Sequence, residues 1–385
     1  MSIKAVSKFM TDYCYTNGIL NYLNGMYLPP PFTVFPTIIP HQHMDYLRSS
    51  QHLWATLVHR MTEDIQLLHK IFQHKTPYID NAFNAYTVYN PTKKSINIIK
   101  STYKYNTIKQ LPEYITMRSW PFAASKLPAL HKCILNMQRP EFDYFIPNHN
   151  HAQRIGLIFD TAIKHRAIPN EQKRIVLVTN KQQNIKEIES LLLEKYNIKC
   201  TTLSLAQIHD VALIQNGDVY ISDHKIHLFY FMHTEADYNL TDKDWKARKL
   251  IEKSNAITSP SIRFQLALLP QFIEYTQANI TSIYSGDYKM LSKLTQNPAF
   301  SQYLESPCYI YQNGNISKKI VNTEISLLSA ISTDGDEIDG VYNDLGYSAE
   351  VVATDSLAIT RIETTPIFVD DKTFNEVKPE FNMTI

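Results

Sequence analysis

The sequence predicts an α/β protein of mixed α+β type, and three observations carry that prediction. An apolar period of three and four residues, Trp54, Leu57, Val58, Met61, Ile65 and Leu68, marks a helix with one buried face. The branched run RIVLVTN (174–180) is followed by NIKEIESLLLEKYNI (184–198) and CTTLSL (200–205). That is a strand–helix–strand unit with short loops, and it requires a small parallel sheet. A window rich in Tyr, Ile, Thr and Asn at 81–112 holds the alternating stretches AYTVYN and SINII, which read as strands of a β-meander.

Taken in order, residues 1–75 read as helical, interrupted by LPPPFTVFPTIIP (28–40). Pro29–Pro31, Pro36 and Pro40 cannot continue a helix and are expected to run extended over the surface. The meander window carries five lysines (Lys93, Lys94, Lys100, Lys104 and Lys109) and no acid. Interleaved aromatics raise a nucleic-acid face, but the solvated face of a meander is the favoured reading. Residues 115–139 form a helix containing Pro128, and HAQRIGLIFDTAIKHR (151–166) is an amphipathic helix. After the turn Asn216-Gly217-Asp218, GDVYISD and KIHLFYFM alternate as strands. Thr241 or Asp242 caps WKARKLIEKS, with Trp245, Leu250 and Ile251 facing inward. Pro260 opens the next helical stretch and Pro270 interrupts it. Beyond 278 the pattern is mixed, ending strand-like at 348–369.

Composition excludes several function classes. Only 9 of 385 residues are glycine, where average usage gives roughly 27, and no two lie closer than five positions. A phosphate-cradling loop needs clustered glycines so that backbone N–H groups can approach the ligand, and none can be built here by that route. Lys+Arg at 38 against Asp+Glu at 37 gives no global field toward nucleic acid or an anionic membrane. No apolar run approaches the length of a bilayer span, and MSIKAVSKFM lacks a secretory pattern, so a cytoplasmic protein is expected. Cys14, Cys133, Cys200 and Cys308 lie far apart without CxxC pairs and fit reduced, mostly buried thiols. His41 with His43, His149 with His151, and His224 with His227 and His233 lack metal-ligand spacing. His149 and His151 are expected as surface residues at a helix start. The acidic run Asp334–Asp339 does not match a calcium loop, because position 5 is Ile338. Arg248 and Glu252 stand at i,i+4 and are expected to pair.

Four segments, in order, resemble the eukaryotic-type glutathione synthetase family. They are NGIL (17–20) with PFTVFP (31–36), SKLPALHKCIL (125–135), QQNI (182–185) directly after RIVLVTN, and DWKARKLIEKSNAITSPSIRFQLA (244–267). The resemblance implies an ATP-grasp-like architecture. A helical and β-meander part at 1–140 leads to a small parallel-sheet, substrate-type domain at 141–240. A helical block with a reduced ATP-grasp portion at 241–385 completes it. It also implies a homodimer and a ligase ancestry, in which ATP phosphorylates the cysteinyl carboxylate of γ-glutamylcysteine and the glycine amine displaces phosphate. Such chemistry needs carboxylate or amide ligands for Mg²⁺, cations on the transferring phosphoryl group and arginines on the dipeptide carboxylates.

Carried over position by position, most of that apparatus is replaced. The family's metal-binding Glu-x-Asn falls on Pro112 and Tyr114, or, with a one-residue shift, leaves Glu113 as a single carboxylate. Its serine pair becomes Met117 and Ser119. One substrate arginine falls near Pro91, another at Met232, and a tyrosine at Glu235. The Glu-x-Asn-x-x-x-Gln of the sheet domain becomes Gln182, Asn184 and Ile188. LLPQ (268–271) stands where the ATP-contacting lysine is expected, and residues 285–325 hold no Gly-Gly loop. Arg361 is the counterpart of the C-terminal arginine. Ser119 and Asn184 are therefore the expected substrate-binding residues and Glu113 the expected metal residue, with no catalytic residue assigned. The implied function is a binder of a γ-glutamyl thiol or a protein partner, with no resident cofactor. The alternative is an active ligase using ATP, Mg²⁺ and displaced charges, for which Lys93, Lys94, Lys318 and Lys319 are the nearest cations.

Overall fold

A computed structural model of the chain describes residues 2–23, 26–74, 76–88, 93–104, 114–116, 122–138, 146, 150–164, 172–179, 185–232, 240–283, 306–334, 337–355, 358–364 and 366–369. Helix α1 (Ile3–Asn17) leads to the hairpin β1 (Asn21–Leu23) and β2 (Met26–Leu28), then to β3 (Phe32–Thr33) and β4 (Thr37–Pro40). Helices α2 (His41–Glu63), α3 (Ile65–Ile71) and α4 (Pro77–Tyr86) precede β5 (Lys94–Lys104) and β6 (Tyr114–Thr116). Next come α5 (Phe122–Gln138), α6 (His151–Lys164), β7 (Lys173–Val178), α7 (Lys186–Tyr196), β8 (Ile198–Leu203) and α8 (Leu205–Val211). A small antiparallel sheet, β9 (Ala212–Gln215), β10 (Asp218–Ile221) and β11 (His224–Ile226), is followed by β12 (Leu228–Phe231). Helix α9 (Asp242–Lys253), β13 (Ile257–Ser259), α10 (Ile262–Ala267) and α11 (Pro270–Ile283) come before the last strands. Those are β14 (Ser306–Gln312), β15 (Asn315–Asp334), β16 (Glu337–Asp355), β17 (Ala358–Thr364) and β18 (Pro366–Val369).

The main sheet has two halves that meet at β5. From β8 through β7, β12 and β13 to β5, every pairing is parallel, with Ile175 opposite both Cys200 and Leu228. The predicted strand–helix–strand unit is therefore present, and the mixed α/β class holds. From β5 onward through β15, β16 and β17, neighbours run antiparallel. Strand β14 pairs with β15 on one edge and with β3 on the other, and β3 meets β17, so five strands close a ring. Closure leaves few free edges in a region whose sequence shows weak periodicity.

Two apolar cores follow from this layout. The larger one packs Trp54, Val58 and Met61 of α2, Phe159 and Ile163 of α6, and Trp245 and Ile251 of α9 with the parallel strands. The smaller one joins Val6, Met10 and Cys14 of α1 to Leu127, Leu130 and Ile134 of α5, Phe32, Val34, Tyr309 and Tyr311. Phe32 stacks on Tyr311 with ring centroids 4.8 Å apart. Within this second core His131 of α5 is fully buried, and its Nε2 lies 2.7 Å from the Thr33 carbonyl.

Four expectations change. The proline-rich link is extended but not on the surface: Pro29, Pro30, Phe32 and Val34 are buried, because β3 slots between β14 and β17. AYTVYN begins inside a helix, where Thr76 caps α4, Pro77 occupies its first turn, and Ile79, Ala82 and Phe83 supply the buried face. Packing at helical spacing there overrides β-propensity. Lys93, Lys94 and Lys100 are buried, so this part of the lysine window is neither a solvated face nor a nucleic-acid surface. His151 is buried as well, in the first turn of α6.

Candidate functional site

The topology itself locates a crevice. Strand β7 leads through α7 to β8 on one side, while β12, its neighbour on the other side, leads through α9 to β13. The chain thus leaves the carboxyl ends of β7 and β12 in opposite directions, and ligands of open α/β sheets bind at such a switch point. Two buried residues form its floor. Thr179 donates its N–H to the Leu203 carbonyl at 3.1 Å, and Met232 donates its N–H to the Val178 carbonyl at 3.1 Å. Just past Val178, the backbone of β7 is therefore bonded on both sides and cannot spread.

Below the crevice a buried ion cluster ties the strand ends together. Arg248 of α9 pairs with Glu252 at 2.8 Å, one turn along the same helix, and Lys93 Nζ lies 3.6 Å from the other Glu252 oxygen. All three side chains are sealed from solvent. The Arg248 guanidinium also lies 3.8 Å over the Phe231 ring, and its Nη2 is 3.4 Å from the Pro260 carbonyl. One planar cation therefore spans the ends of β12 and β13, a geometry that lysine could not reproduce. Beside it, Ser261 donates its N–H to Asn97 Oδ1 at 3.0 Å, holding the start of α10 against β5.

A second junction lies at the start of α7. Lys126 Nζ donates to the Gly18 carbonyl and to Glu187 Oε1, each at 3.1 Å. Gly18 ends α1 with φ 64°, a left-handed conformation that favours glycine. Glu187 lies in the first turn of α7, where the helix dipole favours a carboxylate.

The expected substrate residues Ser119 and Asn184 and the expected metal residue Glu113 lie outside the described residues, as do residues 180–184 and 233–239. Among the described residues, no group of three or more His, Cys, Asp or Glu is placed to hold a metal. Lys93 is committed to Glu252, while Lys318 is exposed with its Nζ 5.6 Å over the Tyr309 ring. Lys319 has no described side chain. Burial pushes the Cys14 and Cys200 thiols up to about 12, so neither is a thiolate nucleophile at neutral pH. No helix among the described residues is long and apolar enough to cross a membrane.

Comparison with known proteins adds lineage to this geometry. The family model described as eukaryotic glutathione synthase matches residues 172–267, the stretch that builds the crevice floor and supplies Arg248 and Glu252 of the ion cluster. Glutathione synthetase of Xenopus laevis is 22% identical over 257 residues, covering 61% of this chain and 53% of that protein. The Dictyostelium discoideum enzyme is 23% identical over 350 residues, covering 77% and 73%. The human enzyme is 22% identical over 256 residues, covering 62% and 54%. The chain thus resembles the eukaryotic glutathione synthetases, at low identity and in part of its length. Its matched part spans about half the length of the frog and human enzymes. A glutathione synthetase-like effector from Globodera pallida, solved in the apo form, shares the fold with a TM-score of 0.73 at 10% identity, over 95% of this chain and 97% of that one.

The segments that carry this resemblance serve construction where their contacts are described. Gly18 and Lys126, from the first two, meet beside Glu187 of α7, two residues beyond the third. Arg248 and Glu252, from the fourth, make the buried pair. The i,i+4 spacing announces that pair. The Lys126 junction was not legible, because its members are far apart in sequence and none has a local signature.

Proposed function

We propose that this glutathione synthetase relative is a pseudoenzyme that binds a γ-glutamyl thiol at the β7–β12 crevice without ligating it. The observation that carries the reading is Met232. It stands where the resemblance places a substrate arginine, and it is a buried, uncharged thioether at the carboxyl end of β12. Ile188, at the position of the family's glutamine, is buried in the same way. A thiol and a short apolar stem suit such a floor, whereas a triphosphate needs clustered cations and backbone amides. Ser119 and Asn184 are proposed to hold the ligand's polar ends, ATP and Mg²⁺ are not proposed as cofactors, and Glu113 is the one residue offered for a metal. The cytoplasm and a homodimer belong to the same proposal.

The test supplies purified protein with ATP, Mg²⁺, γ-glutamylcysteine and glycine, and follows ADP release alongside calorimetric titration of γ-glutamylcysteine alone. Binding of the dipeptide without glycine-dependent ADP release is the expected result. Turnover at roughly the 1–10³ s⁻¹ typical of enzymes would overturn the pseudoenzyme reading. Absence of dipeptide binding would overturn the ligand.

A further inference from the structure

We draw no further inference here: the strongest candidate, the exposed apolar edge that Val211 at the end of α8 forms with Leu213 and Ile214 of β9, carries nothing because no feature among the described residues shows what covers it.

Discussion

His131 makes the smaller core acid-sensitive. Burial drives its pKa from 6.5 to about 4, against the opposing effect of the Thr33 carbonyl, and no described residue hydrogen-bonds its Nδ1. A proton placed on Nδ1 would be enclosed without an acceptor. The native state therefore stays neutral while the unfolded chain takes up a proton as pH falls through 6.5. Stability is fully present above about 6.5 and is lost between about 6.5 and 4 at about 1.4 kcal/mol per pH unit, reaching about 3 kcal/mol. Between pH 7 and pH 5 the same two pKa values give a loss of about 2 kcal/mol. His131→Gln keeps an amide N–H for the Thr33 carbonyl and removes the titration. Urea unfolding of both proteins at pH 7 and pH 5, followed by fluorescence, isolates the effect, since every other acid-sensitive group cancels in the difference. The unmodified chain is expected to lose about 2 kcal/mol more than the variant over that interval. An equal loss in both would refute the assignment of His131 as a buried neutral base.

Two packing predictions stand beside it. Arg248→Ala removes one of the two cations on a sealed carboxylate and uncovers the Phe231 ring, and denaturant unfolding is expected to show a cost of about 3–5 kcal/mol; a loss under about 1 kcal/mol would mean that Glu252 is not held as described. Gly156→Ala would bring a Cβ within 2.5 Å of the Tyr196 ring, which is tethered through its hydroxyl to the Gln153 carbonyl, so a cost of about 1–3 kcal/mol is expected in thermal unfolding.

The parts of the fold legible in the sequence are those whose signals are local. RIVLVTN, the helix after it and CTTLSL read directly as a parallel unit because a buried strand shows an unbroken branched run. The cap of α9 was legible only as Thr241 or Asp242; the structure makes it Thr241, whose hydroxyl and Asp244 satisfy each other's turn. KIHLFYFM was legible as extended but not as two strands. The division at His227 arises because Ile226 pairs with Val219 while Leu228 pairs with Ile175 and Ile257, and only tertiary neighbours distinguish them. Strand β15 and the part of β16 before residue 348 were illegible for a related reason. They pair with different partners along their length, and a register shift falls between Leu328 and Ala330, so no single alternation runs through them. Burial of Lys93 was unreadable because the carboxylate that compensates it is Glu252, far along the chain.

That last contact bears on which positions of this fold are hard to change. A buried cation is tolerated only while a carboxylate faces it, so Lys93 and Arg248 both depend on Glu252, and removing that carboxylate leaves two uncompensated cations in the core. Substitution at the crevice carries no such penalty. Met232 is an uncharged thioether on a buried strand end, where it carries no desolvation cost of the kind a charged side chain would. The resembling segments whose contacts are described, Gly18 with Lys126 and Arg248 with Glu252, are held by partners inside the molecule. Resemblance in this chain consequently reports the scaffold, and the reaction has to be judged from the residues at the crevice.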